Sequence, residues 1–135
     1  MITAVDANVL FDLLIPDPVF GPPSRERMRT ASREGALVIG EVVYAEIAGF
    51  FAEHAALDAF LGETGVALRP SSSEAFWRAG TLWRTFCRDP RRAREHSRRI
   101  LADFLIGAHA FARADRLLTR DRDFYRAHFN GLKLA

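Results

Sequence analysis

The chain has 135 residues, 49% of them hydrophobic and 27% charged, with a formal net charge of +2 at pH 7. That is the balance of an ordinary soluble domain with its own core, and no apolar run nears the ~20 residues needed to cross a bilayer. The lone cysteine, Cys87, excludes an internal disulfide and makes a reducing cytoplasm the expected compartment. The first residues show neither a basic n-region nor a small-residue cleavage site, so no signal peptide is expected.

Taken in chain order, "ITAV" reads as a short buried strand, followed by helical "NVLFDLLI", which Pro16 and Pro18 stop. After the loop "PDPVFGPP", Pro22 or Pro23 starts a helix through "SRERMRTASREG", with Gly35 closing it. "ALVI" is a second strand. "EVVYAEIAGFFAEH" reads as one helix, with Val42, Val43, Glu46, Ile47 and Phe50 along an inward side, and "AALDAFLGETG" continues helically to Gly65. "VALRP" is a third strand, ended by Pro70. In "SSSEAFWRAGTLWRTFCRD", serines 71 to 73 supply an N-cap, and Phe76, Leu82, Trp83 and Phe86 form an apolar stripe. The polar, Arg-rich "PRRAREHSRR" follows. "ILADFLIGAHAFARA" is a largely buried helix, "DRLLTRD" holds a fourth strand, "RDFYRAHF" a short helix and "GLKLA" a last strand.

There is no repeat, low-complexity tract or domain-dividing linker, so residues 1–135 read as a single domain. Five strands alternating with helices argue for an α/β fold, a mainly parallel sheet covered on both faces. In open sheets of this kind, ligands sit at the carboxyl ends of the strands.

Charge is unevenly placed. Residues 84–99 carry seven Arg against Asp89 and Glu95, a local +5, which leaves −3 for the remainder. Arg88, Arg91, Arg92 and Arg94 suit a phosphate backbone, because a guanidinium donates two parallel hydrogen bonds to phosphate oxygens. The plainer reading is a solvated loop or a landing site for an acidic protein segment.

Four acids fall in apolar company: Asp6 after the first strand, Glu46 in "VVYAEIAGF", Asp103 in "ILADFLIGAHA" and Asp121 after "LLT". Asp6 and Asp121 have a plain alternative as helix caps. For Glu46 and Asp103, read as mid-helix residues, the alternative is an ion pair with a core-reaching Arg. Asp103, Gly107 and Ala110 share one helical face, where small residues would let the helix approach the sheet. A buried lone carboxylate costs several kcal/mol or takes up a proton, and converging carboxylates raise one another's pKa. Arg neutralisation or a hard divalent cation, Mg²⁺ or Mn²⁺, answers both problems.

"VDANVL", "EVVYAEI", "ILADFLIGAHA" and "LLTRDRDF", in this order, resemble the four acidic motifs of PIN domains, nearest those of VapC-type toxins. The resemblance implies a three-layer α/β/α sandwich with about five strands and a Mg²⁺- or Mn²⁺-dependent endoribonuclease of the toxin–antitoxin kind. It places Asp6, Glu46, Asp103 and Asp121 in catalysis and metal binding, with Asp123 as a further outer ligand and Asn8 and Thr119 in support. It further implies an RNA substrate, a cognate antitoxin and a homodimer, for which Phe50 and Phe51 offer an apolar face. A non-catalytic, metal-stabilised RNA- or antitoxin-binding module is the competing expectation. A haloacid-dehalogenase phosphatase fits poorly, since Asn8 stands where a second Asp is needed and Lys133 is the only Lys. Dinucleotide binding fails for want of G-x-G-x-x-G. The histidines show no zinc spacing. His109 reads as a satisfied core histidine, His54, His96 and His128 as residues in polar surroundings, and the Trp77, Trp83 and Phe86 stripe as core rather than a base-stacking platform.

Overall fold

The computed structural model describes residues 1–135 and places four parallel strands in the order β3-β2-β1-β4. These are β1 (Ile2–Val5), β2 (Ala36–Ile39), β3 (Val66–Leu68) and β4 (Arg116–Leu118). Helices α1 (Ala7–Leu14) and α2 (Gly21–Glu34) link β1 to β2, while α3 (Glu41–Ala48) and α4 (His54–Thr64) link β2 to β3. Helices α5 (Ser73–Arg88) and α6 (Leu101–Arg113) link β3 to β4, and α7 (Arg122–His128) follows β4. The fifth expected strand shrinks to a bridge between Leu117 and Leu134. The Leu117 N–H donates to the Lys133 carbonyl and the Ala135 N–H to the Leu117 carbonyl, each at 2.9 Å.

Order and handedness together give three layers. The chain steps from β1 to β2 to β3 in one direction, then returns past β1 to β4. Right-handed crossovers therefore put α1–α4 and α5–α6 on opposite faces. On one face α2 lies against β2; on the other α6 crosses β1 and β4 and pairs with α5. The strands read as continuous apolar runs because both faces are covered: Val5, Val38, Ile39, Leu117 and Leu118 are all buried. Thr3 and Arg116 are the polar exceptions, and Arg116 is the charged one. It reaches towards the α2 face, bonding the Thr3 hydroxyl at 2.9 Å and pairing with Glu34 at the end of α2.

Two boundaries differ from the sequence reading. "EVVYAEIAGFFAEH" does not stay helical: α3 stops at Ala48, and Phe51 turns back to pack on Phe60 of α4, ring centroids 5.6 Å apart. Apolar side-chain packing there outweighs local helix propensity. Val43 and Ile47 of α3 are buried and Val42, Tyr44 and Ala48 pack against the core, while Glu46 and Phe50 lie at the surface. The second difference is at α6, which begins at Leu101, so Asp103 lies in its first turn rather than mid-helix.

Glycine decides one close approach in α6. A Cβ at Gly107 would stand 2.3 Å from the Phe129 ring, so the small-residue face admits Phe129 rather than the sheet. Beneath α5 and α7 lies an aromatic cluster centred on Phe104, with Phe86, Phe124 and Phe129 within 5.3–6.2 Å of its ring. His96 and His128 join it edge-on at 5.0 and 5.4 Å from Phe86, a correction to their expected polar setting. The stripe on α5 divides: Phe86 and Trp83 pack inward, but Trp77 is 75% exposed.

Candidate active site at the carboxyl edge of the sheet

Parallel strands gather distant residues at one edge. Asp6 directly follows β1, and its N–H donates to the Leu118 carbonyl of β4 at 2.9 Å. Thr119 and Asp121 therefore stand beside Asp6 although they are more than 110 positions away. Helix α3 leaves the same edge of β2 and carries Glu46. Helix α6 precedes a parallel strand, so its N-terminus lies at that edge, and Asp103 in its first turn arrives there too. The positive end of the helix dipole favours a carboxylate in that turn, and Asp103 accepts the Ile100 N–H at 3.0 Å. The chains leaving β1 and β4 diverge: α1 goes to one face, while α7 packs on α6 through Phe124 and Phe104. Such a switch point is where open parallel sheets bind their ligands.

Asp6 is 6% exposed and occupies the N-cap position of α1, yet its carboxylate makes no capping bond to that helix. Its Oδ2 instead accepts the Thr119 hydroxyl at 2.7 Å and the Asn8 amide at 3.3 Å. The plain helix-cap reading of Asp6 is thereby removed. Thr119, fully buried, also accepts the Asp121 N–H at 3.0 Å. Asn8 Oδ1 takes the Arg120 N–H at 3.2 Å, so Asn8 and Thr119 tie the two strand ends together. Asp121 likewise sits at an N-cap without capping α7.

The acids raise one another. Burial pushes the Asp6 carboxyl above the usual range, partly offset by the hydrogen bond from Thr119, and the charges of Asp103 and Asp121 push it further. Glu46 is raised by partial desolvation and then by Asp6 and Asp103. Asp103 is raised by burial and by Asp121, against the opposing Ile100 N–H and Arg99. Asp6, Glu46 and Asp103 have no cationic side chain within 4.0 Å. Asp121 has one: the Arg99 guanidinium grips both of its oxygens. The two expected answers to the charge problem are thus divided, with Arg99 paired to one acid and three left without an ion pair.

An all-oxygen donor set of carboxylates suits a hard divalent cation. Asp6, Asp103 and Asp121 would hold it, with Glu46 at the margin. As they stand, no three of these side chains close into a cage. Asp123 is fully exposed on α7, with Arg126 at 3.7 Å, and does not join the group.

Two residues of the site were not expected. Tyr125 is buried, and its phenol is held well above its ordinary pKa by burial and by the charges of Asp6, Asp103 and Asp121. Its only sequence signal is a position four residues after Asp121, one helical turn on. Arg99 lies inside the Arg-rich run but outside the four phosphate candidates. Of those four, Arg91 pairs with Asp89 at 3.0 Å and Arg92 with Glu95 at 3.2 Å, whereas Arg88 and Arg94 are exposed and carry no ion pair. The segment is folded, not loose: His96 bonds the Phe86 carbonyl at 2.8 Å.

Fold and site together define a parallel α/β protein with a group of acidic side chains at the carboxyl edge of its sheet, at the topological switch point. The chain belongs to the PIN domain family, whose profile matches residues 3–130. Its fold is similar to a chain of VapBC2 from Rickettsia felis, in a crystal structure with a DNA fragment from their promoter: TM-score 0.68, 18% identity, 100% of this chain and 98% of that one. It is also similar to a chain of VapBC-1 from nontypeable Haemophilus influenzae: TM-score 0.69, 19% identity, 100% and 97% coverage. Comparison with curated proteins gives no match. No helix is long and apolar enough to cross a membrane.

Proposed function

We propose that this chain is a Mg²⁺- or Mn²⁺-dependent endoribonuclease, the toxin of a VapBC-type pair, working in the cytoplasm as a homodimer and silenced by a cognate antitoxin. The observation that carries the reading is Asp6: a buried, uncapped carboxylate without a cationic partner, facing Asp103, Asp121 and Glu46 at the sheet edge. A bound divalent ion would supply a lowered pKa for water, a shield for the phosphate and a clamp for the leaving oxygen. Asp6, Asp103 and Asp121 offer it oxygens, and Asn8 and Thr119 fix the Asp6 rotamer. Glu46, at the exposed margin with a raised pKa, is placed to orient an attacking water. Asp123 lies outside the group and is left an outer role at most. Arg88, Arg91, Arg92 and Arg94 would hold the RNA strand by its phosphates, positioning it without reading bases.

The Arg99 grip on Asp121 favours a second reading, a metal-stabilised RNA- or antitoxin-binding module with negligible turnover. Purified, antitoxin-free protein separates the two: the nuclease cuts RNA with Mg²⁺ and stops with EDTA. Asp6→Asn should lower the rate by more than the ~10–100-fold typical of outer partners of a metal site, with an unchanged circular dichroism spectrum. Metal-dependent cutting at the wild-type rate by that variant would sink the nuclease reading.

A further inference from the structure

Among the arginines of residues 84–99, Arg99 is the one bound to an acid of the site. Its guanidinium donates to both Asp121 oxygens, one contact at 3.2 Å. It lies over the Phe124 ring, 4.3 Å from the centroid. The Asp103 carboxylate adds to the field that stabilises its charge. The pair is only partly open to water, with Arg99 23% and Asp121 32% exposed. A two-pronged, ring-stacked ion pair in that setting is stronger than a surface pair.

The same carboxylate is one of the three on which the metal-nuclease reading depends. A guanidinium fork spanning both oxygens of Asp121 takes one lone pair on each, about half of the carboxylate's acceptor sites, and its charge repels a second cation brought up to the rest. Asp103, by contrast, is held by the Ile100 N–H, next to Arg99 in the chain. The backbone at residue 100 is therefore anchored beside the acids, so that freeing Asp121 requires movement of the Arg99 side chain alone.

We propose that Arg99 is a built-in competitor for the metal: it holds Asp121 out of the ligand set, and a divalent ion binds only by displacing it. Arg99 thus sets the metal affinity of the site. The inference rests on the metal-nuclease reading and goes beyond it, because it assigns a role to a cation that reading leaves unused.

Mn²⁺ titration by calorimetry, at fixed ionic strength and without RNA, tests it. Arg99→Gln should bind Mn²⁺ about tenfold more tightly than wild type, the factor that ~1.4 kcal/mol represents. Arg98→Gln, which removes an exposed charge from the same segment, should change affinity less than about twofold, the scale of a screened surface charge. Arg99→Lys keeps the charge but loses the fork, and should fall between wild type and Arg99→Gln; it carries the test if thermal unfolding shows that the Gln variant does not fold. Equal or weaker Mn²⁺ binding by the Arg99 variants, with wild type binding and Asp6→Asn not, overturns the competition while sparing the metal site. No Mn²⁺ binding by any variant overturns both.

Discussion

Thr119 is the residue on which the acidic site hinges. One hydroxyl, with no exposure to water, donates to the Asp6 carboxylate and accepts the Asp121 N–H. Replacing it with Val keeps the volume and leaves a buried carboxylate short of a donor. A hydrogen bond to a charged group contributes ~1.5–3 kcal/mol. Thr119→Val should lose about that much in urea unfolding, and Thr119→Ser should regain most of it. His109 gives the pH dependence at this scale. Its Nε2–H donates to the Arg69 carbonyl at 2.7 Å, its ring rests on Gly40, and burial holds its pKa below the ordinary 6.5. The unfolded chain therefore binds the proton first. The stability His109 contributes is complete above pH 6.5 and is lost as pH falls from there towards its folded pKa. The melting temperature should drop between pH 7 and pH 5, and less so in His109→Gln; His128, lowered in the same direction, keeps some slope in that variant. An identical slope in both proteins would remove His109 from the account.

At the scale of the element, α6 shows two opposing effects at Gly107. Alanine is the better helix former by ~1 kcal/mol. Its Cβ would nevertheless meet the buried Phe129 ring at 2.3 Å, and overpacking costs ~1–3 kcal/mol. The clash wins, because Phe129 is enclosed by Phe104 and Tyr125 and cannot yield. Gly107→Ala should lower stability by about 1–2 kcal/mol, measured by urea unfolding, and a second change, Phe129→Leu, should restore part of it. Additive losses in the double variant would show that the two positions do not share the strain. The first turn of α6 needs Asp103 for its backbone as well as for the acidic site, so Asp103→Ala should fray the helix start, whereas Asp103→Asn keeps the acceptor.

At the scale of the whole molecule, the charge is divided into an acidic site and a basic segment beside it. Arg88 and Arg94 are exposed and unpaired, while Arg91 and Arg92 already answer Asp89 and Glu95. For single-stranded RNA, each phosphate contact contributes ~0.7 to the slope of log affinity against log salt. Arg88→Ala with Arg94→Ala should reduce that slope by up to ~1.4, and Arg91→Ala with Arg92→Ala by less, since those two must first leave their partners. Equal reductions from both pairs would mean that the ion pairs open freely on binding.

Sequence alone determined the alternation of strands and helices, the parallel sheet, and the four acids that stand among apolar residues, because each is a local signal: a run, a period, a charge where a core residue belongs. It also determined His109 as a core residue. Only the tertiary structure decided which acids are answered. Arg99 reaches Asp121 across 22 positions, through the packing of α7 on α6, and nothing local marks that contact; Tyr125, one turn after Asp121, is buried by the same packing. The same is true of the break after Ala48, where Phe51 finds Phe60, and of Asp103, whose place in a first turn depends on where the Arg-rich segment stops. Periodicity reports which side of an element is apolar, but not which partner comes to cover it; that choice belongs to the sheet order, which brings β1 and β4 side by side.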